Sequence, residues 1–180
     1  MMKKILMILC VMVLLFVVGC TSSQDCDPPI GGCSEAPGFQ EKVNVVATVG
    51  MLADITENVG GDFVHVKGLM GPGVDPHLYK ARESDVRALQ NADVIFYNGL
   101  HLEAQMGEVL EKMHGDKTVV AVSDSLSEEV LLDFSGYPGL CDPHVCFDVT
   151  HWQHAVEEVR DTLKAHDPEH AEQYETNAEA

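Results

Sequence analysis

Positive charge is what this sequence most lacks: 11 Lys and Arg stand against 29 Asp and Glu in 180 residues, a formal net charge of −18. That field repels phosphate backbones, which argues against nucleic acid as a partner, and it concentrates cations, although a negative surface is also a common solubility device. An apolar run long enough for a transmembrane helix is missing too. The apolar stretch over residues 5–18 falls short of the roughly 20 residues that cross a bilayer. No His-Glu-x-x-His motif is present, so the commonest zinc-hydrolase signature is excluded. At 46% hydrophobic and 22% charged, the chain suffices for one modest domain with a core and leaves no room for a second.

What is present begins at the N-terminus. Lys3 and Lys4 precede the apolar run, and Gly19-Cys20 closes it. This is the pattern of a cleaved export signal, with a short membrane anchor as the competing reading. Val17-Val18-Gly19-Cys20 resembles a lipobox, with Val17 standing where Leu is usual, and this favours lipidation of Cys20 as the mature N-terminus. Loss of Lys3 and Lys4 would take the net charge from −18 to about −20. Ser22, Ser23, Pro28, Pro29, Gly31, Gly32, Pro37 and Gly38 then interrupt any apolar period and read as a flexible tether. Within it, Cys26 and Cys33 either close a small disulfide loop or stay free in an oxidising compartment. The expected segments are a signal peptide over 1–19, an anchored tether over 20–42, an α/β lobe over 43–149 and the start of a linking helix over 150–180.

From Val43 the pattern alternates. A β-rich run over 43–48 ends at Gly50, and Met51, Leu52, Ile55 and Val59 recur at helical spacing until Gly60-Gly61. A second strand is predicted over 63–69, followed by a Gly/Pro loop and a short helix carrying Val86 and Leu89 with Ser84 as its cap. Residues 93–97 read as a strand buried on both faces. Met106, Val109, Leu110 and Met113 form a helical stripe of the kind that fills a core, and 118–122 read as a fourth strand. Thr150 with Gln153 matches a capping box before the stripe Trp152, Ala155, Val156, Val159 and Leu163. Asp167-Pro168 then predicts a second helical stretch running to the end of the chain. Strands alternating with helices imply a four-stranded parallel sheet with helices on both faces, whose ligands gather beyond the carboxyl ends of the strands.

One tripeptide occurs twice, in Asp75-Pro76-His77-Leu78-Tyr79 and in Asp142-Pro143-His144-Val145-Cys146. Proline fixes its own φ and restricts the residue before it, so each imidazole leaves a stiff loop. A preorganised imidazole suits metal ligation, and the preceding carboxylate can hold the loop or orient the ring. A single such His is more often a satisfied surface or core residue, but two matching loops favour His77 and His144 as ligands, with Asp75 and Asp142 behind them. Two imidazoles do not complete a site, since zinc usually takes four donors and harder ions want carboxylates as well.

With these loops stand Val46-Ala47-Thr48, Gly60-Gly61-Asp62, Gly71-Pro72-Gly73-Val74, Asn91-Ala92-Asp93 and Asn98-Gly99-Leu100. Together, from Val45 to about the end of the chain, they resemble the metal-binding receptors of ABC-type zinc and manganese transporters, the family 9 solute-binding proteins. The resemblance implies two α/β lobes joined by a long helix, a metal held between the lobes, and delivery to a membrane permease. It implies that His77 and His144 are the ligands supplied by the N-terminal lobe, with a His or Glu and an Asp coming from a second lobe. It further implies that this chain is truncated, ending within or just after the linking helix that starts at Thr150. The expected product is thus an exported lipoprotein facing the periplasm or cell exterior, without catalytic activity, that captures zinc or manganese. Two departures stand out. Cys146 occupies a place where the family carries a bulky residue, and it either pairs with Cys141 or fills space. A His-rich loop before the second Asp-Pro-His, common in zinc-specific members, is missing, which leans towards other metals.

The remaining histidines read as surface. His101 would lie at the rim of the cleft, His151 and His154 are three apart, and His166 and His170 are four apart. His65 and His114 show no partner in sequence. Two alternatives remain open: a remnant that folds without binding metal, and a zinc hydrolase using Asp75, Glu83 or Glu103 as base, which would need a third protein ligand and an open position for water.

Overall fold

The computed structural model describes residues 41–115 and 117–180. The expectations about the export signal, Cys20, Cys26 and Cys33 lie outside the described residues. Four strands, β1 (Val43–Ala47), β2 (Val64–Gly68), β3 (Val94–Tyr97) and β4 (Thr118–Ala121), form one sheet in the order β2-β1-β3-β4. All three pairings are parallel, with Val43 opposite Val64, Val45 opposite Val94 and Val94 opposite Thr118. The expected four-stranded parallel α/β fold is the observed one. β1 and β3 are central and covered on both faces, which is why Val45, Val46, Ala47, Val94, Ile95 and Phe96 are all buried. The edge strands are more exposed.

Helices α1 (Gly50–Gly60), α2 (Glu83–Asn91) and α3 (Gly107–Met113) connect the strands. From β1 the chain steps outward to β2, then returns past β1 to β3, so the direction of winding reverses between β1 and β3. That reversal opens a crevice beyond their carboxyl ends, at Thr48 and Asn98, where such sheets bind ligands. Gly61 ends α1 at φ 54°, a left-handed conformation open to glycine, and gives its N–H to the Glu57 carbonyl. The Met106 and Leu110 side chains of the methionine stripe are buried in the core, as their spacing predicts.

Two caps differ from expectation. Ser84 lies inside α2; the N-terminus is instead held by Asp85, whose carboxylate accepts the Arg82 N–H at 2.8 Å and the Tyr79 hydroxyl at 2.7 Å. Burial works against ionisation of Asp85, but these donors together keep its pKa below the ordinary value. Likewise α4 (Val149–His166) is capped by Asp148, not Thr150: its carboxylate accepts the N–H groups of Thr150 and His151 at 2.8 and 3.3 Å. A short acceptor one position before the helix outcompetes the Thr hydroxyl within it.

The stretch from Thr150 is two helices. α4 buries Ala155, Val159 and Leu163, ends at His166, and is followed after a 3-10 turn by α5 (Ala171–Glu179). Pro168 cannot continue an α-helical ladder. Asp167 fixes the corner by accepting the Tyr174 hydroxyl at 2.7 Å and facing His170 Nδ1 at 2.6 Å. Tyr174 is wholly buried, and Asn177 donates to the Val59 carbonyl at 2.9 Å, fastening α5 to the last turn of α1. Lys164 and Arg160 of α4 pair with Glu175 of α5.

Candidate metal centre

The two Asp-Pro-His loops adopt the same local turn. Asp75 Oδ1 accepts the His77 N–H at 2.9 Å, and Asp142 Oδ1 accepts the His144 N–H at 2.9 Å. In each, a carboxylate bonds the backbone two residues on, while the proline between them excludes a competing donor. The turns bring the two rings together across the crevice, His77 Nε2 lying 3.4 Å from His144 Nε2 with the rings inclined at 67°. At this separation the two ring nitrogens adjoin, and which of them donates and which accepts is set by the ring tautomers.

The loops differ in what lies behind the imidazole. Asp142 Oδ1 also faces His144 Nδ1 at 2.7 Å. In the neutral ring, donation from Nδ1 leaves the Nε2 lone pair free and aimed at His77. The His144 N–H and ring, together with His77, hold the Asp142 carboxyl below the usual aspartate pKa. Asp75 holds its loop only. A second support for His144 comes from Asn98, at the end of β3, whose amide donates to the Pro143 carbonyl at 2.9 Å. Phe134 stacks on Tyr137 at 4.7 Å and lies 6.4 and 6.1 Å from the His77 and His144 rings, forming an aromatic wall.

Beside the pair runs a largely apolar cleft of about 520 Å³, lined by Met51, Met70, Val74, Leu102, Cys146 and Phe147. Cys141 and Cys146 are free thiols, so they do not pair, and burial raises the Cys146 pKa. Cys146 fills space in the cleft wall. His101 and His114 line a different hollow of about 560 Å³, with Cys141. His154 sits 3.2 Å from Glu157 on α4, and His151 lines a smaller hollow beside His144. Of the bases considered for hydrolysis, Glu83 is paired with Arg87 on the surface of α2, and Asp75 is occupied by the His77 N–H. Glu103 is buried and accepts three protein donors. Among the described residues no three His, Cys, Asp or Glu side chains are grouped so as to hold a metal ion. His77 and His144 stand as a pair of imidazoles without a third such side chain grouped with them among the described residues.

Sequence reasoning missed Phe134 and the contact of Asn98 with the second loop, and it named Glu103 only as a candidate base. Asn98 stood in a quoted motif, yet nothing in the local pattern linked it to a loop 45 residues away.

Residues 45–180 match the family described as zinc-uptake complex component A, periplasmic. The chain belongs to this family. Among curated relatives, a zinc-binding protein of Treponema pallidum (strain Nichols) is 51% identical over 66% of this chain and 38% of its own length. A manganese-binding lipoprotein of Bacillus subtilis (strain 168) is 41% identical over 82% of this chain and 49% of its own. The solved periplasmic zinc-binding protein of Treponema pallidum superposes with a TM-score of 0.74 at 46% identity, covering 77% of this chain and 49% of that one. The family chain described here thus spans about half or less of the length of these relatives. Their names mark them as zinc-binding or manganese-binding proteins.

Proposed function

We propose that this family member is the lobe of an exported, lipid-anchored receptor that captures a divalent ion, zinc or manganese, and passes it to an ABC-transporter permease. The observation that carries the reading is the 3.4 Å spacing of the His77 and His144 Nε2 atoms. Two imidazoles bound to one tetrahedral zinc at roughly 2.0–2.1 Å place their nitrogens about 3.3 Å apart. The crevice between β1 and β3, the Nδ1 bond that leaves His144 Nε2 as a lone-pair donor, and the acidic surface support the same reading. Asp75 and Asp142 hold the ligands, and the remaining donors come from outside the two loops. In this reading 1–19 is a signal peptide, Cys20 the lipidated residue, 20–42 a tether to the outer face of the cell membrane, 43–149 the lobe and 150–180 the beginning of a connector. The chain performs no catalysis: its carboxylates near the pair are committed to backbone and hydroxyl donors.

Calorimetric titration of the chain with zinc and with manganese tests this. Saturable binding of about micromolar strength or tighter, lost in both His77→Ala and His144→Ala, is the expected result. Binding that never rises above the background of an acidic surface would favour a second reading, a lobe that holds no metal by itself. The shell of only two imidazoles among the described residues is the observation behind it.

A further inference from the structure

Glu103 is a carboxylate with 3% of its surface exposed, unpaired with any cation among the described residues, lying just beyond β3. Its Oε1 accepts the Thr48 hydroxyl at 2.6 Å and the Asn98 N–H at 2.8 Å, and its Oε2 faces the Gly99 N–H at 3.4 Å. Thr48 directly follows β1 and Asn98 directly follows β3, so one carboxylate bridges the ends of the two strands at the point where the winding reverses. Each bridged residue also leads to one of the His loops. The Thr48 carbonyl accepts the Met70 N–H at 2.9 Å, anchoring the start of the loop that carries His77. The Asn98 amide holds Pro143, next to His144. The chain reaches this geometry through two consecutive non-glycine residues in the left-handed region, Leu100 at φ 50° and His101 at φ 64°. Such a turn is strained, and it persists where surrounding bonds over-determine it. A buried, solvent-excluded carboxyl group is likewise a costly means of joining two strands.

We infer that Glu103 is a positioning residue for the metal centre, tying both strand ends to one carboxylate and thereby fixing the spacing of the two imidazoles. Its effect on affinity rests on the metal reading above; its effect on spacing does not.

The test uses the full chain, zinc as the probe, and two readouts: zinc affinity, and the proton NMR cross-relaxation between the His77 and His144 rings, measured without metal. In the wild type the rings give a cross-peak. Glu103→Asp, one methylene shorter, cannot reach both strand ends; it loses the cross-peak and binds zinc about tenfold more weakly. Glu103→Gln keeps an oxygen for Thr48 and Asn98, retains the cross-peak and recovers affinity to within about threefold of wild type. If Glu103→Asp does not fold, the isosteric Thr48→Val, which removes one of the three bonds, carries the test with a weakened cross-peak and about threefold weaker zinc binding. An unchanged cross-peak in the folded Asp variant, or in Thr48→Val where that stands in for it, overturns the inference, as does a wild type without one. A wild type that binds no zinc but whose cross-peak disappears in Glu103→Asp sinks the metal reading and leaves the positioning role standing.

Discussion

The first and second Asp-Pro-His loops share a tripeptide and a turn but not their surroundings. The first follows the edge strand β2 and a glycine-rich stretch; Asp75 is exposed and its carboxylate accepts the His77 backbone N–H but does not hold the His77 ring. The second has three supports. Pro143 is buried under the Asn98 amide, Asp142 grips both the backbone and the ring of His144, and Asp148 starts α4 four residues later. The same local sequence therefore yields one imidazole held through its backbone and another whose ring is also held by a carboxylate. Anchoring is a property of what packs around a motif. The lesson for the site is a division of roles between one imidazole whose ring is held and one whose ring is not.

The largest effects break both loops. His144→Ala and His77→Ala should each weaken zinc binding by about 100-fold or more, by calorimetry, because either leaves one imidazole. Equal loss in both would fit a shared ion; an effect from only one would dissolve the pairing. The next substitution separates the loops. Asp142→Asn, which removes the charged partner of the His144 ring, should cost about tenfold in affinity, whereas Asp75→Asn should cost about two- to threefold. Equal costs would mean that the ring bond contributes nothing.

Acid should loosen the second loop selectively. The Asp142 carboxyl lies below its ordinary value of 3.8, so the ordering it provides is complete above that pH and is lost as pH falls through the depressed folded value. Protection of the His144 amide relative to its intrinsic exchange rate should fall in that window, and Asp142→Asn should abolish that fall. A smaller effect is expected from Asp148→Ala, which frees the first N–H groups of α4. It should lower Tm slightly and broaden the NMR signals of His144 while leaving those of His77 sharp.

Much of this was legible in the sequence. Hydrophobic period and glycine punctuation were enough to place β1, α1, β3 and α4, because burial on one or two faces imposes those periods directly on the chain. The caps were less legible: Ser84 and Thr150 are good cap types, but Asp85 and Asp148 hold the ends. Choosing among adjacent acceptors depends on sub-ångström differences in where the backbone enters the helix. The break at Asp167-Pro168 was visible as a helix start, whereas the packing of α5 on α1 through Asn177 and Tyr174 was not.

By itself, then, the sequence determined the elements, the parallel α/β class, the two stiff loops and the pairing of His77 with His144 as candidates, since each follows from short-range patterns. Tertiary structure alone decided that their Nε2 atoms meet at 3.4 Å, that of these two His144 is the one whose ring is held by a carboxylate, and that Glu103 stands beneath both strand ends. Those facts depend on sheet order. When the chain winds from β2 back past β1 to β3, residues 67 positions apart come into contact, and no local pattern encodes a distance that is set by the packing of everything between them.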